Sequence, residues 1–295
     1  MDDICVLDGA VIPGGKMRAR RHYQLSGGQV PNCLVALQRL GLRTAFVGKI
    51  GDDLNGTAIL SDLVEEGVGI EELQIGRGLA SQHAFIMVNA TTAERTIVWR
   101  RPEALAIDGA RIPAQAIAGA RALHLDGQDE GGLAAARAAK EEGVVVSLDA
   151  EEVLGHTAEL LQVCDLIVAD AAFPEKLGLP ADDKSALAAM ARFGARFVAI
   201  TAGNRGAIAL ADGRLLTCPA LNVDSVDTTG AGDAFRAGIL FGFLSQWPWE
   251  RVLQAGCAVG GLSTRGYGGR ASLPSASELH AVLDQPEVFR RTNLP

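Results

Sequence analysis

Aromatic residues make up only 5% of this 295-residue chain. Positive charge is also in deficit: 27 Lys and Arg face 35 Asp and Glu, for a net charge of −8. That balance argues against a broad nucleic-acid-binding face, while a local basic pocket for phosphate stays open. Lysine is scarcest, at five of the 27 basic residues. The cysteines (Cys5, Cys33, Cys164, Cys218, Cys257) are odd in number and scattered, with no C-x-x-C. This argues for a reducing compartment and against a disulfide framework or a zinc site. The five histidines lack metal-ligand spacing. No window of 18 apolar residues is free of charge, and the acidic start Met1-Asp2-Asp3 lacks a basic n-region. The chain reads as soluble and cytoplasmic, without a membrane partner. There is no Gly-x-Ser-x-Gly, no GxxxxGK[ST], no internal repeat and no Pro/Ser-rich linker.

What is present is a chain 48% hydrophobic and 21% charged, enough to build a core without staples. From residue 120 onward, short apolar runs alternate with Ala-rich stretches. Strands are expected at Ala120–Leu125, Val144–Asp149, Asp165–Ala169, Phe197–Thr201 and Ala207–Leu210. Helices are expected at Asp129–Glu142, Glu152–Gln162 and Lys184–Phe193. Uniformly apolar strands alternating with helices are the mark of a mostly parallel, doubly wound sheet covered by helices on both faces. The first hundred residues differ. Lys16–Leu25, Ala84–Asn89 and Arg95–Trp99 have strand character with polar positions, and they flank a helix at Cys33–Leu40 and a strand at Thr44–Val47. They predict a small β-sheet lid, discontinuous over about residues 2–25 and 83–100, on a single domain spanning 1–295. Phe85, Met87, Ile97 and Trp99 would form its apolar face.

The strongest motif is Asp227-Thr228-Thr229-Gly230-Ala231-Gly232-Asp233, followed by an apolar helical run, Ala234–Leu244. Consecutive amides at a helix start make an anion site, and glycines let a ligand approach closely. A carboxylate placed there makes sense if it accepts a proton from a hydroxyl that attacks phosphorus. The plainer alternative is a glycine-rich N-cap with Asp233 as a dipole partner; seven residues in this order favour the chemical reading. Gly27-Gly28-Gln29-Val30-Pro31-Asn32, with Gly41, Gly48, Gly51-Asp52 and Gly56 beyond it, could admit a small polar ligand beside Asn32, or could be a turn and cap. Thr201-Ala202-Gly203-Asn204-Arg205-Gly206 closes an apolar strand, where ligands sit in parallel sheets; alone it could be a simple hairpin.

Together, in this order and spacing, the three motifs resemble the PfkB, or ribokinase-like, carbohydrate kinase family over essentially the whole chain. The resemblance implies that Asp233 is the catalytic base and that Gly230, Ala231 and Gly232 form the anion hole. It implies sugar contacts from Gly28, Asn32 and Asp233, and from Asp126 in His124-Leu125-Asp126-Gly127. Thr201, Gly203, Gly206, Thr228, Gly230 and Gly232 would contact ATP. The loop Gly266–Pro274 is similar to one near the nucleotide in the branch containing ketohexokinase and sulfofructose kinase. By the same likeness Asp227, Thr229, Ser263 and Gly268 would hold a monovalent cation such as K⁺.

Three departures from the family pattern stand out. Asp2 aligns with an acidic sugar ligand that a core strand normally precedes, so that strand is expected to be missing. Asp170 stands where the family has an asparagine near magnesium, and its partner glutamate is replaced by Phe173; a strand-end cap fits Asp170 equally well. Gln128 replaces an arginine that binds a second anionic group in some relatives. The expected activity is ATP- and Mg²⁺-dependent phosphorylation of a small sugar. A nucleoside kinase of the same fold, or a silent sugar- or nucleotide-binding regulator, are the rivals. A homodimer through the lid is the expected assembly.

Overall fold

A computed structural model describes residues 1–109, 112–127 and 129–289, and Gln128 lies outside them. The chain divides into two compact units. One comprises Met1–Leu105, Val223–Ala234 and Val259–Leu279; the other comprises Ala106–Asn222, Phe235–Ala258 and the remainder after His280.

The first unit begins with β1 (Asp2–Leu7), β2 (Arg21–Leu25), α1 (Gln29–Arg39), β3 (Gly48–Gly51) and α2 (Leu54–Glu65). It continues with β4 (Leu73–Gly76), β5 (His83–Asn89) and β6 (Arg95–Arg100). Four of these strands form one sheet in the order β2-β1-β5-β6, with β1 parallel to β5 and the other pairs antiparallel. β3 and β4 make a separate parallel pair. The expected strand at Thr44–Val47 is absent. Only an isolated bridge, Ala45 to Gly69, lies there, and the strand starts at Gly48 because that is where the backbone meets β4. The expected Lys16–Leu25 strand shortens to Arg21–Leu25, and β1 takes the central place in its sheet.

Register also corrects the expected apolar face of the lid. Facing residues of an antiparallel pair point the same way. Phe85 pairs with Val98 and Met87 with Thr96, whereas Ala84 pairs with Trp99 and Ile86 with Ile97. Phe85 and Met87 therefore share one face, and Ile97 and Trp99 share the other. The second face also carries Ile4, Ala84, Ile86 and Val88, a buried cluster with Tyr23, Leu25 and Tyr267 packed on it. Phe85 and Val98 are exposed on the first face, at 54% and 58%, and Ile97 and Trp99 are exposed on the second, at 41% and 59%.

The second unit carries α3 (Ala114–Ala118), β7 (Ala122–Leu125), α4 (Glu130–Glu141), β8 (Val145–Ala150), α5 (Thr157–Val163) and β9 (Leu166–Ala169). After α6 (Phe173–Lys176) and α7 (Asp183–Ala191) come β10 (Phe197–Thr201), β11 (Ala207–Ala211) and β12 (Arg214–Cys218). Three further helices, α8 (Ala231–Leu244), α9 (Trp249–Ser263) and α10 (Ala276–Leu283), each have residues in both units. The six-stranded sheet runs β12-β11-β10-β9-β8-β7. β7 to β10 are parallel, and β11 and β12 add an antiparallel hairpin at one edge. Among the described residues β7 is the opposite edge.

This sheet agrees with the mostly parallel, helix-flanked architecture read from the sequence. Its core packs Val146, Leu148, Ile167, Val198 and Ile200 against Leu160, Leu187 and Met190 of the helices. The helix expected to start at Glu152 starts at Thr157. The Thr157 hydroxyl accepts the Leu154 N–H (2.7 Å) and donates to the Leu154 carbonyl (2.9 Å), closing a local turn that competes with the helix. Trp249 stacks between Phe197 (5.3 Å) and Phe243 (5.7 Å), so its ring serves packing. No helix among the described residues is long and apolar enough to cross a membrane.

Candidate active site

In the first unit, three distant segments meet at Asn32. Gly28, at φ 97°, opens α1 and its carbonyl accepts the Asn32 N–H (2.9 Å). The Asn32 side chain is buried, and its Nδ2 donates to Oδ2 of Asp233 (2.8 Å), a residue of the first turn of α8. Gly230 sits one residue before that helix at φ 74°; a Cβ there would lie 2.5 Å from the Gly269 Cα. The left-handed backbone and the close approach both require glycine at 230. The first amides of a helix lack intrahelical partners. The Ala231 N–H returns to the Thr228 carbonyl (3.2 Å) and closes the turn, whereas no bond of the Gly230 or Gly232 N–H is found among the described residues. Of the three amides expected to form the anion hole, that of Ala231 is thus already engaged within the turn.

Asp2 is buried at the start of β1, and its carboxylate packs against Gly27, where a Cβ would fall 1.9 Å from Oδ2. Burial pushes its carboxyl up, partly offset by the chain's amino terminus and Arg270. Asp227 is fully buried. Its Oδ1 accepts the N–H (2.9 Å) and hydroxyl (2.7 Å) of Thr229, and Oδ2 accepts the Gly268 N–H (2.8 Å). This carboxylate staples the 266–270 loop to the glycine turn. The Ser263 hydroxyl returns to the Gly260 carbonyl within its own helix (2.9 Å). The Thr228 hydroxyl bonds the Ala93 carbonyl (3.1 Å) and receives Nη1 of Arg95 (3.1 Å), tying the glycine turn to the lid.

The second unit places Asp126, Asp170 and Thr201 just after, or at, the carboxyl ends of β7, β9 and β10. That edge is where open α/β sheets take ligands. Oδ1 of Asp170 accepts the N–H groups of Ala172 (3.0 Å) and Phe173 (2.7 Å), so the capping role accounts for it. Gly203 to Arg205 form a 3₁₀ turn rather than an open hairpin loop, closed by the Ala202 N–H to the Gly206 carbonyl (2.8 Å). Gly206 lies at φ 103°, and a Cβ there would come 2.1 Å from the Cys218 carbonyl oxygen. Two buried groups escaped sequence reasoning. Arg236 forms an ion pair with Asp149 and donates to the Val168 carbonyl (3.3 Å). Arg270 donates to Asn32 from 238 residues away, with no local signal to reveal it.

Solved ribokinase structures share this architecture. One from Thermotoga maritima superimposes with TM-score 0.80 at 22% identity, covering 96% of both chains. One from Arabidopsis thaliana, complexed with ribose and ATP, gives 0.76 at 23% identity, covering 96% of this chain and 95% of that one. The fold is thus the ribokinase fold. Residues 4–276 match the pfkB family carbohydrate kinase, and the chain belongs to that family. It is similar, at 31% identity over 274 residues, to the ATP-dependent ribose-1-phosphate kinase of Halopiger xanaduensis, covering 92% of this chain and 90% of that protein. Its place is among the ATP-binding carbohydrate and nucleoside kinases of the family.

Proposed function

We propose that the protein phosphorylates a small sugar, moving the γ-phosphoryl of ATP to a primary or anomeric hydroxyl with Asp233 as general base. The observation that carries this reading is the buried Asp233 carboxylate, held by Asn32 beside the Gly230 and Gly232 amides. The acceptor oxygen attacks the γ-phosphorus as its proton passes to Asp233. The bond to the bridging oxygen of ADP breaks, and ADP leaves. Amides aimed at the transferring group stabilise its charge without reorganising. Magnesium supplies charge neutralisation of the phosphates when bound. The residues suit an ion held mainly by phosphate oxygens and water, because Oδ1 of the expected ligand, Asp170, already serves as a cap. In the first unit Gly28, Asn32 and Asp2 supply hydroxyl partners for the sugar; in the second, Thr201, Gly203 and Gly206 form the nucleotide turn. A potassium ion would be held at the turn where Asp227 meets Gly268.

Release of ADP from ATP, measured over a panel of ribose, fructose, ribose 1-phosphate and nucleosides, tests the assignment. A sugar or sugar phosphate is expected to give the highest kcat/KM. A nucleoside giving the highest value would favour the rival kinase, and binding of ligand without any ADP release would favour a silent regulator.

The same reading includes a homodimer through the outer face of the lid. Phe85 and Val98 are exposed there side by side, and contiguous apolar surface of this kind favours pairing with a second copy. Light scattering is expected to give about twice the 30.8 kDa chain mass, and Phe85→Glu to return the monomer. A parent protein measured at the single-chain mass would exclude the dimer.

A further inference from the structure

A buried guanidinium stands behind the candidate base. Arg270 is only 8% exposed, in the loop that Asp227 staples to the glycine turn. Its Nε donates to Oδ1 of Asn32 (2.9 Å) and its Nη2 to the Gly27 carbonyl (3.1 Å). The other end of the same amide, Nδ2, donates to Asp233 Oδ2 (2.8 Å). The three side chains form a directed chain of bonds from cation through amide to carboxylate.

An asparagine amide can normally turn over, exchanging its oxygen and nitrogen. Here the exchange would set Nδ2 against the Arg270 donor and Oδ1 against the Asp233 carboxylate. Both contacts would be repulsive, so one orientation is enforced. Space fixes where the amide lies. A Cβ on Gly269 would lie 2.4 Å from Nδ2 of Asn32, and one on Gly230 would lie 3.3 Å from it. Two glycines therefore leave just enough room for the amide, and Arg270 decides which way it faces. The arginine backbone is itself pinned, because its carbonyl accepts Nη1 of Arg39 (2.8 Å), which pairs with Glu66.

We infer that Arg270 is a positioning residue for the base: through the fixed amide of Asn32 it holds Asp233 in one rotamer and favours its anionic form. The inference rests on the reading of Asp233 as the base. The charged groups that act on the guanidinium are Asp62 and Glu66 of α2, Asp2 of β1 and Arg39 of α1. Asp227 lies in the same turn as Asp233, and Arg236 follows one turn along α8. Burial lowers the proton affinity of Arg270, offset by Asp62, Asp2 and Glu66, and a guanidinium stays charged throughout the working range. Its positive charge polarises the amide and lowers the proton affinity of the carboxylate beyond it.

The test is steady-state kinetics of Arg270→Met and Arg270→Lys over pH 5 to 9, with the best sugar of the panel. Arg270→Met is expected to lower kcat by about 10- to 100-fold, the scale of a small misplacement of a catalytic group. The KM for ATP should stay within about twofold, and the acid limb of kcat should move up by about one pH unit as the carboxylate loses its remote cation. Arg270→Lys keeps the charge without the fork, so it should restore the acid limb but only part of kcat. In the Asp233→Asn background, Arg270→Met should cost almost nothing more, because both act through one group.

An acid limb unmoved in Arg270→Met, or a full additional loss in the double variant, would overturn the inference and leave Arg270 as a loop tie. If Arg270→Met does not fold, the Lys variant alone decides: an acid limb at the parent position with reduced kcat supports the inference, and parent kcat contradicts it. Should Asp233→Asn retain turnover, it is the base assignment that fails.

Discussion

Asp233→Asn is expected to lower kcat by about 10²- to 10⁴-fold, the range of a lost general base, with little change in the affinity for ATP. The substitution is nearly isosteric. The new amide can still present an oxygen to Nδ2 of Asn32, which now donates to Asp233 at 2.8 Å. Packing in the first turn of α8 is therefore preserved, and the change isolates the proton-accepting function. The Gly230 and Gly232 amides remain, so some acceleration over the uncatalysed reaction should persist. Circular dichroism and the thermal midpoint should match the parent. Near-normal kcat in a folded Asp233→Asn protein would remove Asp233 from the chemistry.

Acidification should destabilise the protein through one histidine of the second unit. His124 lies on β7, with Nδ1 3.1 Å from the Ser147 hydroxyl, and its Nε2 is buried without a partner among the described residues. Burial, reinforced by the positive charge of Arg236, pushes its imidazole down to about 3. The unfolded chain takes up this proton near pH 6.5, whereas the native protein resists it until about pH 3. Stability from this site is thus complete above pH 6.5 and is lost as pH falls, at about 1.4 kcal/mol per unit. Between pH 6.5 and 4.5 the loss amounts to roughly 2–3 kcal/mol. His124→Asn retains a polar group within reach of Ser147 and cannot titrate. Its urea midpoint should vary less steeply over this interval than the parent's, and the difference cancels the carboxylates common to both. Parallel curves for the two proteins would refute the role given to His124.

The elements that could be read from sequence are those whose burial is two-sided and local. β8, β9 and β10 are buried along almost their whole length, and apolar runs betray such strands within a residue of their ends. The Asp227–Asp233 turn was legible as a turn for a different reason, since Gly230 at φ 74° breaks the chain just before an apolar helical run. β3, with two glycines in four residues, was misread because its conformation comes from pairing with β4 and not from propensity. The division of lid side chains between two faces needed the register of β5 on β6, which no single strand contains. Arg270 was invisible for the plainest reason: its partner Asn32 is brought to it by tertiary folding alone.

The central pairing of the lid also sets an order of events while the chain folds. β5 meets β6 across a turn of residues 90–94, but β1 meets β5 across about eighty residues, Asp2 lying beside Ala84. Going from a five-residue to an eighty-residue closure is four doublings, about 2.4 kcal/mol of chain entropy, or a factor of roughly sixty in the closing equilibrium. The β5–β6 hairpin therefore closes before β1 docks on β5. β1, which can meet β2 across residues 8–20, must wait for β5, during synthesis, until residue 89 has left the ribosome. Until then the apolar side chains of Ile4 and Val6, buried in the finished protein, stand uncovered on a nascent segment, the interval in which a chaperone or a second nascent chain can reach them.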